Sequence, residues 1–281
     1  MSEAGRDQLA LARVVAALEP YLDELVFVGG WAHRLYLLHG LARSPGFTTL
    51  MTQDADIAAP LNMRSRGERI SQRLKEAGFI EEFKGDDTPP ISEYRLGQEE
   101  SGLYVEFLAP QLGSGRRRDG SPDDTVEIAG VSAQKLRHID ILLTAPWRVH
   151  LNEQHGFPLG PEGRDVLIPN PASYLAQKLL VLRQRSREKQ AKDVLYVHDT
   201  LMMFSSALEE LRACWAHQVA PSVHSNARVE LERRRQEWFA TVTDLSRNAA
   251  RIAASTGRTS PPAPERLIQV CRLGLQEIFG P

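Results

Sequence analysis

The sequence predicts an α/β (α+β) protein, with a mixed sheet flanked by helices over residues 1–168 and an all-helical C-terminal domain over residues 169–281. Three observations predict it. Short apolar runs of strand composition alternate with helix-period segments up to Ile168. A Gly29-Gly30 pair separates the first such run from the next helical segment. Beyond Asn170-Pro171 the apolar residues recur at helical spacing to the end of the chain. A length of 281 residues lets roughly three quarters of the unfolded surface be buried, and 42% apolar with 25% charged residues excludes disordered, fibrous and disulfide-stapled classes.

Taken in order, residues 6–19 form an amphipathic helix, because Leu9, Leu11, Val14, Val15 and Leu18 fall mostly three or four apart before Pro20 stops the pattern. Leu25–Val28 reads as a strand ending in Gly29-Gly30, and Trp31–His39 as a helix before Gly40. Residues 50–59 read as a second strand, and about Arg64–Ala77 as a polar helix ending at Gly78. Phe79–Phe83, Ile91–Leu96 and Leu103–Leu108 are candidate strands, the last two joined by a Gly- and Glu-rich turn. Residues 110–124 form a Gly/Ser/Pro loop carrying Arg116, Arg117 and Arg118, which reads as mobile. Strands follow at Thr125–Ala129, Ile139–Thr144 and Asp165–Ile168. Asn170 then caps a helix with Pro171 in its first position, and further helices are expected near 188–203, 205–218, 222–253 and 262–278.

The net charge of −2 hides a segregation, since residues 1–168 carry −7 and residues 169–281 carry +5. Carboxylates in one half and cations in the other suit the handling of a polyanion with metal ions. Cys214 and Cys271 have no metal-knuckle spacing, and the eight histidines show neither HxH nor HxxxH. No apolar run reaches the roughly 18–20 residues of a membrane span, and the first residues lack the apolar stretch of a signal peptide, so a cytoplasmic chain without membrane contact is expected.

The chemistry concentrates in Thr52-Gln53-Asp54-Ala55-Asp56-Ile57. Residues two apart on a strand share a face, so both carboxylates stand side by side with Cα atoms about 6–7 Å apart. Oxygen-only ligands there suit Mg²⁺, although the same pattern also occurs at exposed strand ends. Gly29-Gly30 lets a phosphate chain approach closely and leaves helix-start amides facing it, while glycines at such turns also serve purely steric needs. Bridging two metal ions needs a third acid; Glu106, flanked by Val105 and Phe107, is one candidate and Asp140 the other. In the second half, Lys178 lies within the apolar face of its helix, beside Tyr174, Leu175, Val181 and Leu182. It either snorkels along the surface or reaches into a cleft. Trp31 is either a base-stacking or a core residue, the arginine triplet either an RNA contact or solvated, and Arg228–Arg235 a charged helix face.

The order of strand, GG, helix, then TxDxD on the next strand and a carboxylate on a later one resembles the DNA polymerase beta-like nucleotidyltransferase superfamily. Within it the chain is most similar to the bacterial group that includes the AbiEii-type toxin nucleotidyltransferases. The resemblance spans about residues 22–108 and, more loosely, 170–200. It implies a nucleotidyltransferase-fold sheet and transfer of a nucleoside monophosphate from a nucleoside triphosphate such as ATP. It also implies Mg²⁺, two ions, held by Asp54, Asp56 and Glu106. Gly29, Gly30 and Thr52 would contribute to nucleotide binding, and Lys178 with Asp193 would complete the nucleotide site from the helical domain, Lys178 neutralising triphosphate charge. Asp193 could alternatively pair with Lys189. An RNA or tRNA acceptor and a cognate antitoxin follow from the toxin relatives, a small-molecule acceptor from other members, and a non-catalytic nucleotide-binding regulatory protein is the third reading. One departure is the 24-residue step from Gly30 to Asp54, which implies an insertion looping out around Leu41–Thr49.

Overall fold

The computed structural model describes residues 3–85, 89–97 and 102–280. Its first helix, α1 (Glu3–Ala17), buries Leu11, Val14 and Val15 completely and gives way to a 3-10 turn (Glu19–Tyr21) where Pro20 ends the pattern. Strand β1 (Val26–Phe27) runs into α2 (Gly29–Leu35), and a 3-10 turn follows over Tyr36–Leu38. Next come β2 (Asp54–Ala58), α3 (Ile70–Glu76), β3 (Phe79–Lys84), β4 (Ile91–Leu96) and β5 (Tyr104–Pro110). The expected turn between β4 and β5 lies largely outside the described residues.

The rest of this part differs from expectation in three places. A hairpin joins β6 (Thr125–Ile128) to β7 (Val131–Leu136), with Ala129 and Gly130 both in the left-handed region, at φ 48° and 88°. That is the geometry a two-residue hairpin turn demands, but VSAQKL has too little strand character to announce β7 by itself. Ile139–Thr144 is not a strand: its first four residues form the short helix α4 (Ile139–Leu142), a case in which a brief apolar run fits either period. Strand β8 (Trp147–Leu151), unexpected from the sequence, precedes β9 (Arg164–Ile168).

The strands form one mixed sheet in the order β3-β4-β5-β2-β1-β9-β8, with β7 added to β5 and β6 to β7. β2 lies parallel to β5 and antiparallel to β1, so two neighbours fix its register. Ala55, Ile57, Val105 and Phe107 point to one face and are wholly buried. On the other face Ala58 and Leu108 join a core cluster with Val26, Val28, Leu167, Ile139 and Leu142, so α4 covers the C-terminal ends of β2 and β5.

By internal packing the sheet belongs to a unit of Met1–Leu38 and Met51–Pro169, and a second unit comprises His39–Leu50 and Asn170–Pro281. The second is helical. In α5 (Pro171–Val181) the Asn170 side chain accepts a 2.8 Å hydrogen bond from Ser173 N, as its capping role predicts. Helices α6 (Arg187–Met203), α7 (Leu208–Cys214), α8 (Ser225–Phe239), α9 (Asp244–Ser255) and α10 (Pro264–Phe279) follow. The single helix expected over 222–253 is two, because Thr243 and Ser246 build a capping box that starts α9 afresh. Residues 39–50 do not simply loop out: Arg43 N donates to Met203 O at 2.8 Å, and Arg258, itself paired with buried Asp199, lies over the Phe47 ring.

Candidate active site

Strand register builds a polar face. Asp54 pairs with Tyr104 and Asp56 with Glu106 across the parallel β2–β5 ladder, while on the far side of β5 Tyr104 meets Arg95 and Glu106 meets Glu93. Two adjacent rows result, Asp54–Tyr104–Arg95 and Asp56–Glu106–Glu93, on one face because partners in register project together. The three predicted acids are half-buried, and Glu93 is fully buried at 0% exposure. Thr52 Oγ1 donates to Asp54 Oδ1 from just before the strand. Gly29 sits with φ +64° against Asp56, so close that a Cβ there would lie 2.2 Å from Asp56 Oδ2. Val28 N, next to it, donates to Asp56 O at 2.8 Å. Gly29 thus serves a close approach to the acid-bearing strand β2, as well as a turn only glycine adopts readily.

Charge follows geometry. Burial, then the neighbouring Asp56 carboxylate and the hydrogen bond with Glu93, push the Glu106 carboxyl from its usual 4.5 to about 7. Burial, reinforced by the charges of Asp54, Glu106 and Asp56, drives the Tyr104 hydroxyl well above its usual range, so it remains a neutral donor. Glu93 is balanced by Arg95 at 2.8 Å and by Lys84. Glu93, Arg95, Lys84 and Tyr104 were not predicted as site residues. The alternation in ISEYRL puts Glu93 and Arg95 on one face, but only the register shows which face.

The donor set suits a divalent cation: oxygen atoms only, on neighbouring strands about 4.8 Å apart, with repulsion between Asp56 and Glu106 that a cation would relieve. Among the described residues no three His, Cys, Asp or Glu side chains are already drawn into a metal-ligand group, so the fit rests on register and donor chemistry. Asp140, the competing third acid, lies exposed in the first turn of α4, whereas Glu106 is the register partner of Asp56.

In the helical unit Lys178 neither snorkels nor stays unpartnered. At 5% exposure it donates to Asp193 Oδ1 at 2.7 Å, and its ammonium lies 5.3 and 5.1 Å from the ring centres of Tyr174 and Tyr196. Asp193, 1% exposed, holds Arg185 at 2.9 Å through its other oxygen. Its partners are therefore Lys178 and Arg185, not Lys189. Arg185 gave no signal, because it lies in a turn outside any periodic pattern.

The remaining candidates resolve structurally. Trp31 is core, 1% exposed, with Arg34 stacked 4.0 Å from its ring centre. The arginine-triplet loop is not a free tether but closes on itself through Arg117 N to Ser121 O and Arg116 Nη1 to Gly120 O. Helix α8 is not a fully solvated charged face, since Arg234 and Arg235 are buried. Cys214 and Cys271 are buried free thiols, and no described helix is long and apolar enough to cross a membrane.

A sheet that sets paired acids beside a glycine turn, together with the sequence itself, defines the class: a nucleotidyltransferase family model matches residues 6–220, and the chain belongs to that family. It is accordingly an enzyme of nucleotidyl transfer. Among solved structures, the chain is similar to MenT4, a nucleotidyltransferase toxin from Mycobacterium tuberculosis H37Rv, with 14% identity, coverage of 95% of this chain and 92% of that one, and a TM-score of 0.33. No curated protein matches the sequence.

Proposed function

We propose that the chain is a Mg²⁺-dependent nucleotidyltransferase that moves a nucleoside monophosphate from a nucleoside triphosphate to an acceptor hydroxyl, with RNA as the acceptor. The observation that carries this reading is the register pair Asp56–Glu106, with Asp54 on the same face and Gly29 against Asp56. Asp54, Asp56 and Glu106 would hold the metal, two ions in the fullest form, with Thr52 orienting Asp54. A Mg²⁺ ion held by these acids would supply neutralisation of phosphate charge and polarisation of the phosphoryl group. The chain's own work is then positioning. The acids fix the reacting face, Gly29 and Gly30 keep backbone bulk away from the phosphates, and Glu106, balanced near neutrality, takes up the acceptor's proton when not committed to metal. Lys178 and Asp193 retain the nucleotide-binding role that the family resemblance implies. The setting is the cytoplasm, and a cognate antitoxin is the expected partner.

The test is incubation of the full chain with labelled nucleoside triphosphates, Mg²⁺ and a cellular RNA pool. Label on RNA supports the reading, label on a small molecule moves the acceptor to that class, and no transfer with any nucleotide refutes it. Asp54→Ala with Asp56→Ala should abolish transfer; retained activity would refute the site.

A further inference from the structure

The helical unit contains a second polar site, a cavity of about 400 Å³ between α8 and α10 lined by Arg235, Gln236, Phe239, Ala240, Arg272 and Gln276. Arg235 is 7% exposed, and its Nη2 donates to Glu232 Oε1 at 2.6 Å, yet its Nε has no acceptor among the described residues. Gln236 Nε2 converges on the same Glu232 oxygen at 2.6 Å. Arg272, exposed on the facing helix, has no ion-pair partner among the described residues. The neighbouring Arg233 behaves differently: Nε, Nη1 and Nη2 each meet a carboxylate oxygen of Glu230 or Glu237, so its charge is already balanced.

Two guanidinium groups lining the cavity against one carboxylate leave a local excess of positive charge. An anion with several acceptor oxygens in the cavity would offset that excess. Phosphate fits better than carboxylate, because its oxygens accept from two forks at once, and a terminal phosphate also carries close to two charges at neutral pH. The volume leaves room for a sugar beside the phosphate, and Phe239 supplies an apolar wall.

We propose that the cavity between α8 and α10 is a phosphate-binding subsite that takes the phosphate group of a nucleotide or of an RNA backbone, with Arg235 and Arg272 as its anchors. The site stands independently of the transfer reading, needing neither the carboxylates nor a metal ion.

Calorimetric titration of the full chain with inorganic phosphate, in EDTA and at fixed ionic strength, tests it. Phosphate should bind the wild type and the Asp54→Ala/Asp56→Ala variant alike, which separates this subsite from the acid face. Arg272→Gln should weaken binding about tenfold or more, the usual consequence of losing a charge-assisted hydrogen bond. Arg235→Lys, which keeps the charge but loses the fork, should weaken it as well. Unchanged melting of both variants shows that the loss is local. No phosphate binding at tens of millimolar, full affinity in Arg272→Gln, or equal binding of acetate would each overturn the assignment. Competition by a nucleoside monophosphate against a short single-stranded RNA then identifies the source of the phosphate, and displacement by either supports the site.

Discussion

Replacing Gly29 by alanine tests the proposed site at its tightest contact. The backbone at φ +64° costs an L-residue about 1–2 kcal/mol, which for a chain of this size lowers Tm by roughly 2–8 °C. The new methyl would also lie 2.2 Å from Asp56 Oδ2, where real contacts stay beyond 3.0 Å, so the carboxylate must withdraw by about 0.8 Å or more. Misplacing a reacting group by about 1 Å costs on the order of 10²-fold in rate. Gly67→Ala is the matched control, with φ +80° and nothing within 4 Å of the added Cβ. It should lower Tm comparably and leave transfer intact. Calorimetric melting and a labelled-nucleotide transfer assay on both variants separate backbone strain from displaced chemistry. Wild-type transfer by Gly29→Ala would refute the reasoning, because it would mean that the position of Asp56 does not matter.

Glu106→Gln should abolish Mn²⁺ or Mg²⁺ binding measured by titration, whereas Asp140→Asn should leave it unchanged; the opposite pattern would make Asp140 the third acid. Because burial raises Glu106 to about 7, its carboxyl is more easily kept neutral in the fold than in the unfolded chain. Its contribution to stability is therefore present below about 4.5 and lost as pH rises through about 7, so metal-free Tm should fall over that window. Metal binding should release a proton at pH 6 and almost none at pH 8.5, read by calorimetry in buffers of different ionisation enthalpy. In the helical unit, Asp193→Ala should cost about 3–5 kcal/mol in urea unfolding, since it strands a buried ammonium, and Lys178→Met combined with Asp193→Leu should recover much of that loss.

The local signals were legible. The Asp54/Asp56 alternation, the Gly29-Gly30 turn and the Asn170-Pro171 helix start each follow from a few consecutive residues, and the structure shows a strand, a turn and a capped helix there. What a single strand cannot contain is its neighbour. Glu93 and Arg95 join the acid rows only because β4 pairs with β5 in one register; a one-residue slip would turn both away. The hairpin strand β7 and the helix α4 were missed or misread for the related reason that tertiary contacts override weak local preference. Lys178 marked itself by lying on an apolar face, but Arg185, the second cation on its partner Asp193, sits in an aperiodic turn and left no mark.

The same pairing explains how one sheet face serves as both core and candidate site. Along β2 the residues Asp54, Asp56 and Ala58 project together, and along β5 so do Tyr104, Glu106 and Leu108. Ala58 and Leu108 lie under Ile139 and Leu142 of α4 and are buried, while the acids one and two steps back are half-exposed. A carboxylate moved two residues forward would be buried without water or a partner, at a cost that would neutralise it. An apolar residue moved back would extend the core and leave no donors on the face. The cover supplied by the four-residue helix α4 thus divides core from acid face, and Glu106, raised to about 7, is the residue that stands at that division.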